Sequence, residues 1–590
     1  MHAAHTPAGA RSRPLPSRRR TRCPLDAPDA AHVTAPADGV DVSGAPTRPA
    51  DLWQERRTSA ARAPHVLRTT DTRRGGRARP GRVAWRSARA SAPRDPDFPP
   101  VRPALRNRAM SDPLAILANA VAAGGGRLDD HEAPPLVAAG YALLRRSAPL
   151  VRALAGRRAA LLLPTSPAFL VALAASEGRG AVLVNPLAAP AELLRQVADA
   201  DVGAVFTVAA LAGKLSHGLP GHVAVVLLDD APRTARVLAG GASHDVDLAA
   251  HRGDGLTLVG DTETTGRDEE ATIVYTSAMA GRPLGSIATH RNLIANARAT
   301  VEAAQLTPAE HALAVLPYSH LFGLVVSGLA PLLGAGRVTT MGRFNPLAAA
   351  EALATQGVTL LVGVPAVFAA LLQAIERRGG TLRAEALRVC ICGGAPLPLA
   401  LQERWAEATG VELRQGYGLT EAGPVCLFNR TDRPNHRGTM GVPLPGVRVE
   451  IRDPATGAAR PLGGEGELWV HGPNVSPGYV RDGHLGLVQV DGWLRTGDLG
   501  VAHADGTVEF RGLLKPMFTR NGFNIYPREI EQAVLELDGV RRVTVTAVPE
   551  PAREHDIALT VEGSVSADAV KAWCAARLSA YKQPSVVEIV

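Results

Sequence analysis

Residues 276–285 read TSAMAGRPLG and have the outline of a loop that binds phosphate groups. The stretch follows the apolar run ATIVY directly and precedes THRNL by a few residues. A phosphate loop holds its ligand with backbone N–H groups and a cation. Met279 and Leu284 cannot neutralise a phosphate, whereas Arg282 carries a positive charge. Whether the chain binds a nucleotide therefore depends on the other motifs.

Two further glycine-containing segments have side chains that suit a nucleotide. In QGYGLTEAG, Gly416 and Gly418 let the backbone approach a ligand closely, and Tyr417 offers a flat face for a purine. In GWLRTGDLG, Asp498 follows Gly497, and we expect a turn in which the carboxylate accepts both ribose hydroxyls. These residue types favour a nucleotide site over a purely structural one only if the segments occur together.

The same segments also have plain structural interpretations. Thr420 followed by Glu421 is typical of a helix cap, and TGD is a common loop sequence. A lone histidine beside apolar residues, such as His320 in SHLFGL, is more often a structural side chain than a functional one. The hypothesis of a nucleotide site therefore depends on the company that each motif keeps.

The elements that must position these segments follow an alternating pattern. From about residue 110 onward, short β-branched runs alternate with longer Ala/Leu-rich stretches. The run VTLLVGV leads into PAVFAALLQAIERRGG, with Pro365 near the predicted helix start and glycines at its end. Continuous apolar strands that alternate with helices predict parallel sheets covered on both faces. The predicted fold class is α/β.

The pattern changes twice toward the C-terminus. Short alternating strands such as EGELWVHG and GTVEFRG predict a β-rich subdomain over residues 437–512, within a large domain of residues 110–512. Residues 513–590 contain the helix REIEQAVLEL, the strand RRVTVTAV and the helix ADAVKAWCAARL. We expect a small α+β domain there that is incomplete.

The excess of basic over acidic charge lies in the leader, residues 1–109, which is rich in Arg, Pro and Ala. Residues 1–108 hold 22 Arg, no Lys and 9 acidic residues, a net charge of +13, so the rest of this +8 chain carries −5. We expect no nucleic-acid binding by the body and disorder in the leader. A transit peptide and a nucleic-acid-binding tail stay open, but we favour an over-extended reading frame with the ordered protein starting near Met110.

Five cysteines show neither paired metal spacing nor a disulfide framework. Cys390 and Cys392 lie in an apolar strand-like run, which predicts buried structural thiols. No uninterrupted run of 18 or more apolar residues occurs, so we expect no membrane span. These features predict a cytoplasmic protein and leave its oligomeric state open.

Six motifs occur in a family-like order: YTSAMAGRPLGSIATHRNL, LPYSHLFGL, CGGAPLP, QGYGLTEAG, GWLRTGDLG and RNGFNIYPREIE. From about residue 115 to the end, the chain resembles the adenylate-forming superfamily, which includes acyl-CoA synthetases. The resemblance implies a ligase that uses ATP and Mg²⁺ to join a carboxylic acid to AMP. The acyl group then passes to a thiol, either CoA or the phosphopantetheine of an acyl carrier protein, and the sequence does not choose between them.

The resemblance implies a nucleotide site of glycines, hydroxyls and a carboxylate. Its residues are Thr276, Ser277, Gly281, Gly285, Gly393, Gly394, Ala395, Pro396, Gly416, Tyr417, Gly418 and Asp498. It also implies that Thr420 contacts the α-phosphate and that Glu421 binds the magnesium ion. His320 matches a position that gates the acyl pocket and completes the implied catalytic set.

The resemblance also implies an acyl pocket lined by His320, Phe322, Gly323 and Val364. Their apolar surroundings favour a fatty or other hydrophobic acid, because an amino acid's ammonium group would require a carboxylate partner. Lys515 matches the interdomain hinge, and Gly522 matches the close approach of the small domain to the thiol tunnel.

Three departures from the family pattern oppose full activity. The phosphate loop lacks a Gly, two hydroxyls and, at Leu284, the usual lysine; Leu513 stands where an arginine usually contacts the ribose. The chain ends at Val590, and no candidate for the family's C-terminal catalytic lysine is found. Arg511 offers a shifted ribose contact. Two hypotheses stay open: an acid–thiol ligase, or an impaired homologue that binds a nucleotide or acyl ligand in a regulatory role.

Overall fold

The computed structural model describes residues 117–590 except 177–179, 216–217, 252–268, 277–282, 482–483, 487–488, 515–516 and 551–552. The Arg-rich leader lies outside the described residues. The strands are, in chain order, β1 (Arg127–Leu128), β2 (His131–Glu132), β3 (Arg158–Leu162), β4 (Ala181–Leu183), β5 (Val202–Thr207), β6 (Ala224–Leu228), β7 (Thr234–Ala239), β8 (Ala242–Asp247), β9 (Glu270–Thr276), β10 (Leu284–Thr289), β11 (His311–Ala314), β12 (Arg337–Thr340), β13 (Leu360–Gly363), β14 (Val389–Cys392), β15 (Leu413–Gly418), β16 (Val425–Phe428), β17 (Val442–Pro443), β18 (Arg448–Arg452), β19 (Glu465–His471), β20 (Gly478–Arg481), β21 (His484–Gly486), β22 (Gln489–Val490), β23 (Trp493–Ala502), β24 (Val508–Leu513), β25 (Phe518–Arg520), β26 (Phe523–Ile525), β27 (Val540–Glu550), β28 (Glu554–Gly563) and β29 (Val586–Ile589).

The helices commonly begin with a proline at one of their first two residues. They are α1 (Leu117–Gly124), α2 (Ala133–Arg146), α3 (Ala148–Leu154), α4 (Pro167–Ala175), α5 (Pro190–Asp199), α6 (Ala209–Ala212), α7 (His290–Ala303), α8 (Ala330–Leu333), α9 (Pro346–Thr355), α10 (Pro365–Glu376), α11 (Leu399–Thr409), α12 (Pro527–Leu535) and α13 (Ala567–Arg577), with a π-helical segment at Phe322–Leu329. Helix α10 begins at Pro365, as predicted. At α7, Thr289 and Asn292 form a reciprocal capping box.

Two large sheets form the body of the described chain. One has the order β21-β20-β10-β9-β4-β3-β5-β6-β7-β8, and the other β17-β16-β15-β14-β13-β11-β12-β1-β2. The run β9-β4-β3-β5-β6 is parallel in the first sheet. The run β15-β14-β13-β11-β12-β1 is parallel in the second, and the edges of both sheets are antiparallel. The predicted α/β class is confirmed.

A third sheet is antiparallel and has the order β18-β19-β23-β22, with β24 on β23. It forms the β-rich part of the chain between residues 448 and 513. Strands β20 and β21 leave this region and extend the ten-stranded sheet beside β10. This return brings a distant segment next to the strands that flank the phosphate loop.

The C-terminal residues form a small α+β unit. A hairpin of β25 and β26 precedes a sheet of β27, β28 and β29, against which α12 and α13 pack. Its own apolar core includes Ile530, Val534, Ile557 and Val570. Because this core is separate from that of the large domain, the small domain has independent packing.

The core of the large domain lies on both faces of its central strands. All residues of β5 and all nine residues of α4 are buried, as expected for elements covered on every side. Cys390 and Cys392 are buried in β14, and Cys426 and Cys574 are also buried, so the expectation for the strand thiols is confirmed. None of the described helices combines the length and apolarity needed to cross a membrane.

Candidate active site

The site forms where three neighbouring parallel strands end. Strands β13, β14 and β15 lie side by side, and the chain leaves them at Val364, Gly393 and Leu419 respectively. Because the carboxyl ends of parallel strands meet at one edge of a sheet, the segments that follow them gather there. Val364, Gly393, Gly394 and Tyr417 therefore share one region.

Glu421 is held by two donors that reach the same carboxylate oxygen. The Tyr479 hydroxyl donates to Oε1 at 2.7 Å, and Thr276 Oγ1 donates to it at 3.3 Å. Among the described residues, no hydrogen bond to Oε2 is formed. Burial and the charge of Glu421 raise the pKa of Tyr479, so its hydroxyl remains a donor. The carboxylate is thus fixed through one oxygen, and the other accepts a hydrogen bond from none of the described residues.

Tyr479 is a site residue that the sequence analysis missed. It lies on β20 directly opposite Ser286 of β10, so the returning strand brings its ring to the hairpin that flanks the phosphate loop. Thr276 lies at the end of β9 in the same hairpin. A GYV sequence within a strand carries no chemical signature, and only the pairing of β20 with β10 reveals its role.

The geometry of Glu421 suits a magnesium ion that binds together with phosphate oxygens. No group of three or more His, Cys, Asp or Glu side chains in the described part of the chain forms a metal site by itself. Mg²⁺ commonly takes one or two carboxylates and fills its remaining positions with substrate phosphates and water. A single oriented carboxylate with one oxygen left over fits that donor set.

Asp498 lies beside Tyr417, whose hydroxyl donates to Oδ2 at 2.5 Å. Burial, the charge of Asp498 and this hydrogen bond raise the pKa of Tyr417, so the phenol stays protonated. The Asp498 backbone N–H donates to Thr496 Oγ1 at 3.0 Å, and this hydrogen bond holds the backbone that carries the carboxylate. Tyr417 and Asp498 therefore form one rigid pair.

The expectation that Asp498 lies in a turn is wrong. Residues 493–502 form the continuous strand β23, and Asp498 pairs there with Leu513 of β24. Gly497 has φ +76° and its N–H donates to Glu467 Oε1 at 3.1 Å, so the irregular backbone is accommodated inside the sheet. The TGD sequence marks a local irregularity in a strand.

The predicted acyl-pocket residues are brought together with the glycines after β14. A Cβ on Gly393 would lie 3.2 Å from Cζ of Phe322, and a Cβ on Gly394 would lie 3.3 Å from Cγ1 of Val364. Gly394 also has φ +80°, which favours glycine. A Cβ on Gly323 would lie 2.4 Å from the Pro317 carbonyl oxygen. Larger residues at Gly393 and Gly394 would fill the space beside the Phe322 and Val364 side chains.

His320 lies at the start of this apolar wall. Its Nδ1 accepts a hydrogen bond from the Phe322 N–H at 3.2 Å. Burial lowers the pKa of His320 below its usual value near 6.5, so the ring is neutral at neutral pH. The pocket wall therefore contributes no charge at this position.

The small domain reaches the same wall through the turn between β25 and β26. Asn521 has φ +52° and Gly522 has φ +75°, the pair of left-handed residues that a tight Asn-Gly hairpin turn requires. A Cβ on Gly522 would lie 2.7 Å from Cγ2 of Val364. Val364 thus lies between Gly394 of the large domain and Gly522 of the small domain.

The family model for AMP-binding enzymes matches residues 149–480 of this chain. The chain belongs to the AMP-binding enzyme family. The matched region includes most strands of both large sheets and ends in β20, so Glu421 and Tyr479 both lie within it.

Relatives and solved structures agree with this membership. The chain is 34% identical over 442 residues to a feruloyl-CoA synthase from an Amycolatopsis species, covering 73% of this chain and 84% of the relative. It is 31% identical over 462 residues to a long-chain-fatty-acid–CoA ligase from Salmonella typhimurium, covering 73% and 82%. Among solved structures, it is similar to the amide bond synthetase McbA from Marinactinospora thermotolerans, with TM-score 0.68, 27% identity and coverage of 80% and 95%. A malonyl-CoA ligase product complex with methylmalonyl-CoA and AMP gives TM-score 0.65, 28% identity and coverage of 80% and 96%.

Two leucines of this AMP-binding enzyme lie beside the anchored acids. Leu284 pairs directly with Thr276, so the two side chains project from the same face of the hairpin, the face that reaches Glu421. Leu513 pairs directly with Asp498. Arg511, the alternative ribose contact, pairs with Glu509 at 3.0 Å. Uncharged side chains therefore stand beside both acidic groups.

The remaining predicted site residues lie near the same edge or outside the described part of the chain. Thr420 begins a short 3-10 turn that carries Glu421, and Gly418 ends β15 with no room for a Cβ beside the Pro424 carbonyl. The other positions are Gly285 in β10, Gly416 in β15, and Ala395 and Pro396 in the loop after β14. Ser277, Gly281 and Lys515 lie outside the described residues.

Proposed function

We propose that this protein is an ATP-dependent acid–thiol ligase that forms an acyl-AMP from a hydrophobic carboxylic acid and transfers the acyl group to CoA. The observation that carries the proposal is the meeting of three parts at one edge. Glu421 is fixed through one carboxylate oxygen, and none of the described residues donates to the other oxygen. Asp498 is fixed by the Tyr417 hydroxyl, and Gly522 of the small domain lies against Val364. A plain nucleotide-binding protein would not need the third part.

In the first step, the acid's carboxylate attacks the α-phosphorus of ATP, an acyl–phosphate bond forms and pyrophosphate leaves. Thr420 contacts the α-phosphate, Asp498 accepts hydrogen bonds from the ribose hydroxyls, and Tyr417 faces the purine. A magnesium ion, when bound at Glu421, neutralises phosphate oxygens. Because the Glu421 and Asp498 carboxylates are already fixed before the reaction, less free energy is needed to orient the two anionic substrates.

In the second step, the thiol attacks the acyl carbon, a thioester forms and AMP leaves with the bonding electrons. The thiol proton passes to solvent. The Asn521–Gly522 turn lies against Val364, and Val364 also borders the glycines after β14. We infer that the thiol reaches the acyl group beside this contact.

The proposed substrate is an acid with an apolar acyl group. Phe322 and Val364 border the pocket glycines, and the neutral His320 adds no charge to the wall. The names of relatives include feruloyl-CoA synthase and long-chain-fatty-acid–CoA ligase. We propose CoA as the acceptor, with carrier-protein phosphopantetheine as the alternative.

The experiment that tests this function is ATP–pyrophosphate exchange with a panel of aryl, short-chain and long-chain acids. Thioester formation is then followed with CoA and with a phosphopantetheinylated carrier protein. Acid-dependent exchange followed by acyl-CoA formation supports the proposal. Saturable ATP binding without exchange for any acid would instead support the second candidate, a nucleotide-binding homologue with a regulatory role, which Leu284 and Leu513 favour.

Leu284→Lys is expected to increase the apparent affinity for ATP about fivefold, and addition of Leu513→Arg is expected to increase it further. Each partly exposed charge pair contributes on the order of 1 kcal/mol, which corresponds to about a fivefold change. The new ammonium would lie on the face that carries Thr276 and Glu421, and the new guanidinium beside Asp498. The concentration dependence of exchange on ATP measures the effect.

Leu284→Gln is the matched control, because it adds polarity without charge and should leave the ATP dependence unchanged. A gain that appears equally in both variants would show that charge is not the cause. An unchanged ATP dependence in Leu284→Lys would contradict the idea that this leucine weakens the phosphate loop.

A further inference from the structure

Lys582 is a buried cation between two carboxylates. Its Nζ donates to Glu529 Oε1 at 2.7 Å and to Glu192 Oε1 at 3.0 Å. The Ser579 hydroxyl donates to the other oxygen of Glu192. All four residues are at most 5% exposed. These contacts are absent from the mechanism described above, although they bury three charges.

The network crosses between the two domains. Glu192 belongs to α5 of the large domain, whereas Glu529 belongs to α12 of the small domain and Ser579 and Lys582 follow α13. The Lys582–Glu529 contact therefore survives any movement of the small domain as a unit. Both contacts of Glu192 would break, because their partners lie on the other side of the interface.

The buried pair stabilises this arrangement only while both sides are present. Burial by itself raises the pKa of Glu192, but the charge of Lys582 and the hydrogen bond from Ser579 outweigh it, and the pKa is lowered. A buried ion pair that loses one member leaves an uncompensated charge, which is strongly unfavourable. The contact thus favours one orientation of the small domain over orientations that leave Glu192 without its partners.

The segment that binds Glu192 also supports the hairpin that carries Gly522. The rings of Phe523 in β26 and Tyr581 are stacked, with centroids 4.3 Å apart and an interplanar angle of 20°. Arg520 in β25 donates to the carbonyl oxygens of Tyr581 at 3.2 Å and Gln583 at 2.8 Å. One continuous set of contacts therefore runs from Glu192 through residues 579–583 to the Gly522 turn and Val364.

We propose that Glu192 is a positioning residue for transfer of the acyl group to the thiol. By binding Ser579 and Lys582, it holds the β25–β26 hairpin against Val364. The inference rests on the proposed ligase function. It assigns to this buried carboxylate of the large domain a selective role in the second step, and none in acyl-AMP formation.

The test compares Glu192→Ala, Glu192→Gln and Asp199→Asn in the full chain. Asp199 is the matched control, because it lies on the same helix α5 and accepts from the Tyr275 hydroxyl at 2.6 Å within the large domain. In Glu192→Ala, thiol transfer is expected to fall about tenfold while acyl-AMP formation stays within about twofold. Glu192→Gln retains one acceptor oxygen and the size of the side chain, so the loss of acyl transfer should be smaller. Asp199→Asn should change neither step.

Hydrogen exchange provides a readout that does not depend on activity. Residues 518–526 and 579–583 should exchange faster in Glu192→Ala than in Asp199→Asn, while β27 and β28 keep their protection. Unchanged exchange in those two segments, or an equal loss of both half-reactions, would overturn the proposal. If no acid supports acyl-AMP formation even in the wild type, the proposed ligase function is wrong. Hydrogen exchange then still decides whether Glu192 holds the hairpin.

Discussion

Glu421→Gln is expected to lower acyl-AMP formation by at least about 100-fold, because the carboxylate is the proposed magnesium ligand. Glutamine keeps the size of the side chain and an oxygen that can accept from Tyr479 and Thr276, so the local structure should persist. The negative charge at the second oxygen is lost. ATP–pyrophosphate exchange measured over a range of Mg²⁺ concentrations gives the effect, and half-saturation should shift to higher Mg²⁺.

Glu351→Gln is the control for this substitution. Its carboxylate pairs with Arg378 at 2.7 Å on the surface, and its side chain is 56% exposed, so exchange should stay within about twofold of the wild type. The thermal midpoint of both variants should match the wild type. Exchange that is retained in Glu421→Gln with an unchanged Mg²⁺ dependence would show that the cation binds elsewhere.

The sequence predicted those parts of the site that depend on local backbone requirements. The family resemblance implied both Gly394 and Gly522; each has positive φ and sits where a Cβ would contact Val364, so local conformation and space explain why glycine is found there. The start of α10 at Pro365 was predicted from the local preference of proline for the first turn of a helix. Turn chemistry and strand alternation act over a few residues, which is why a single sequence reveals them.

The parts that the sequence did not predict depend on pairing over long separations. Tyr479 reaches Glu421 only because β20 joins the edge of the sheet beside β10. Lys582 meets Glu192 across 390 residues of chain. Asp498 lies in a strand because β23 pairs with both β19 and β24, which overrides the turn preference of TGD. No local pattern specifies which distant strand supplies the partner.

Gly522→Val is expected to reduce thiol transfer by about 100-fold while acyl-AMP formation persists, since a β-branched residue at positive φ is strained and would collide with Val364. Glu421 and Asp498, which serve the first step, belong to the large domain and are untouched. Single-turnover measurement of acyl-AMP and then of acyl-CoA separates the two steps. Equal loss of both steps would contradict a specific role for this turn.

A remote glycine separates backbone strain from the contact with Val364. Gly539 has φ +91° in the small domain and its nearest neighbours belong to residues 564 and 565, so Gly539→Val should leave the ratio of the two steps unchanged. The milder Gly522→Ala offers a second distinction. Combining it with Val364→Ala removes both γ-carbons that the new Cβ would meet, at 2.7 and 2.9 Å, but keeps the Val364 Cβ at 2.9 Å, so only part of the lost transfer should be recovered. Recovery in the double variant would locate the loss at this contact, whereas no recovery would leave strain in the turn or the remaining contact with the Val364 Cβ as its cause.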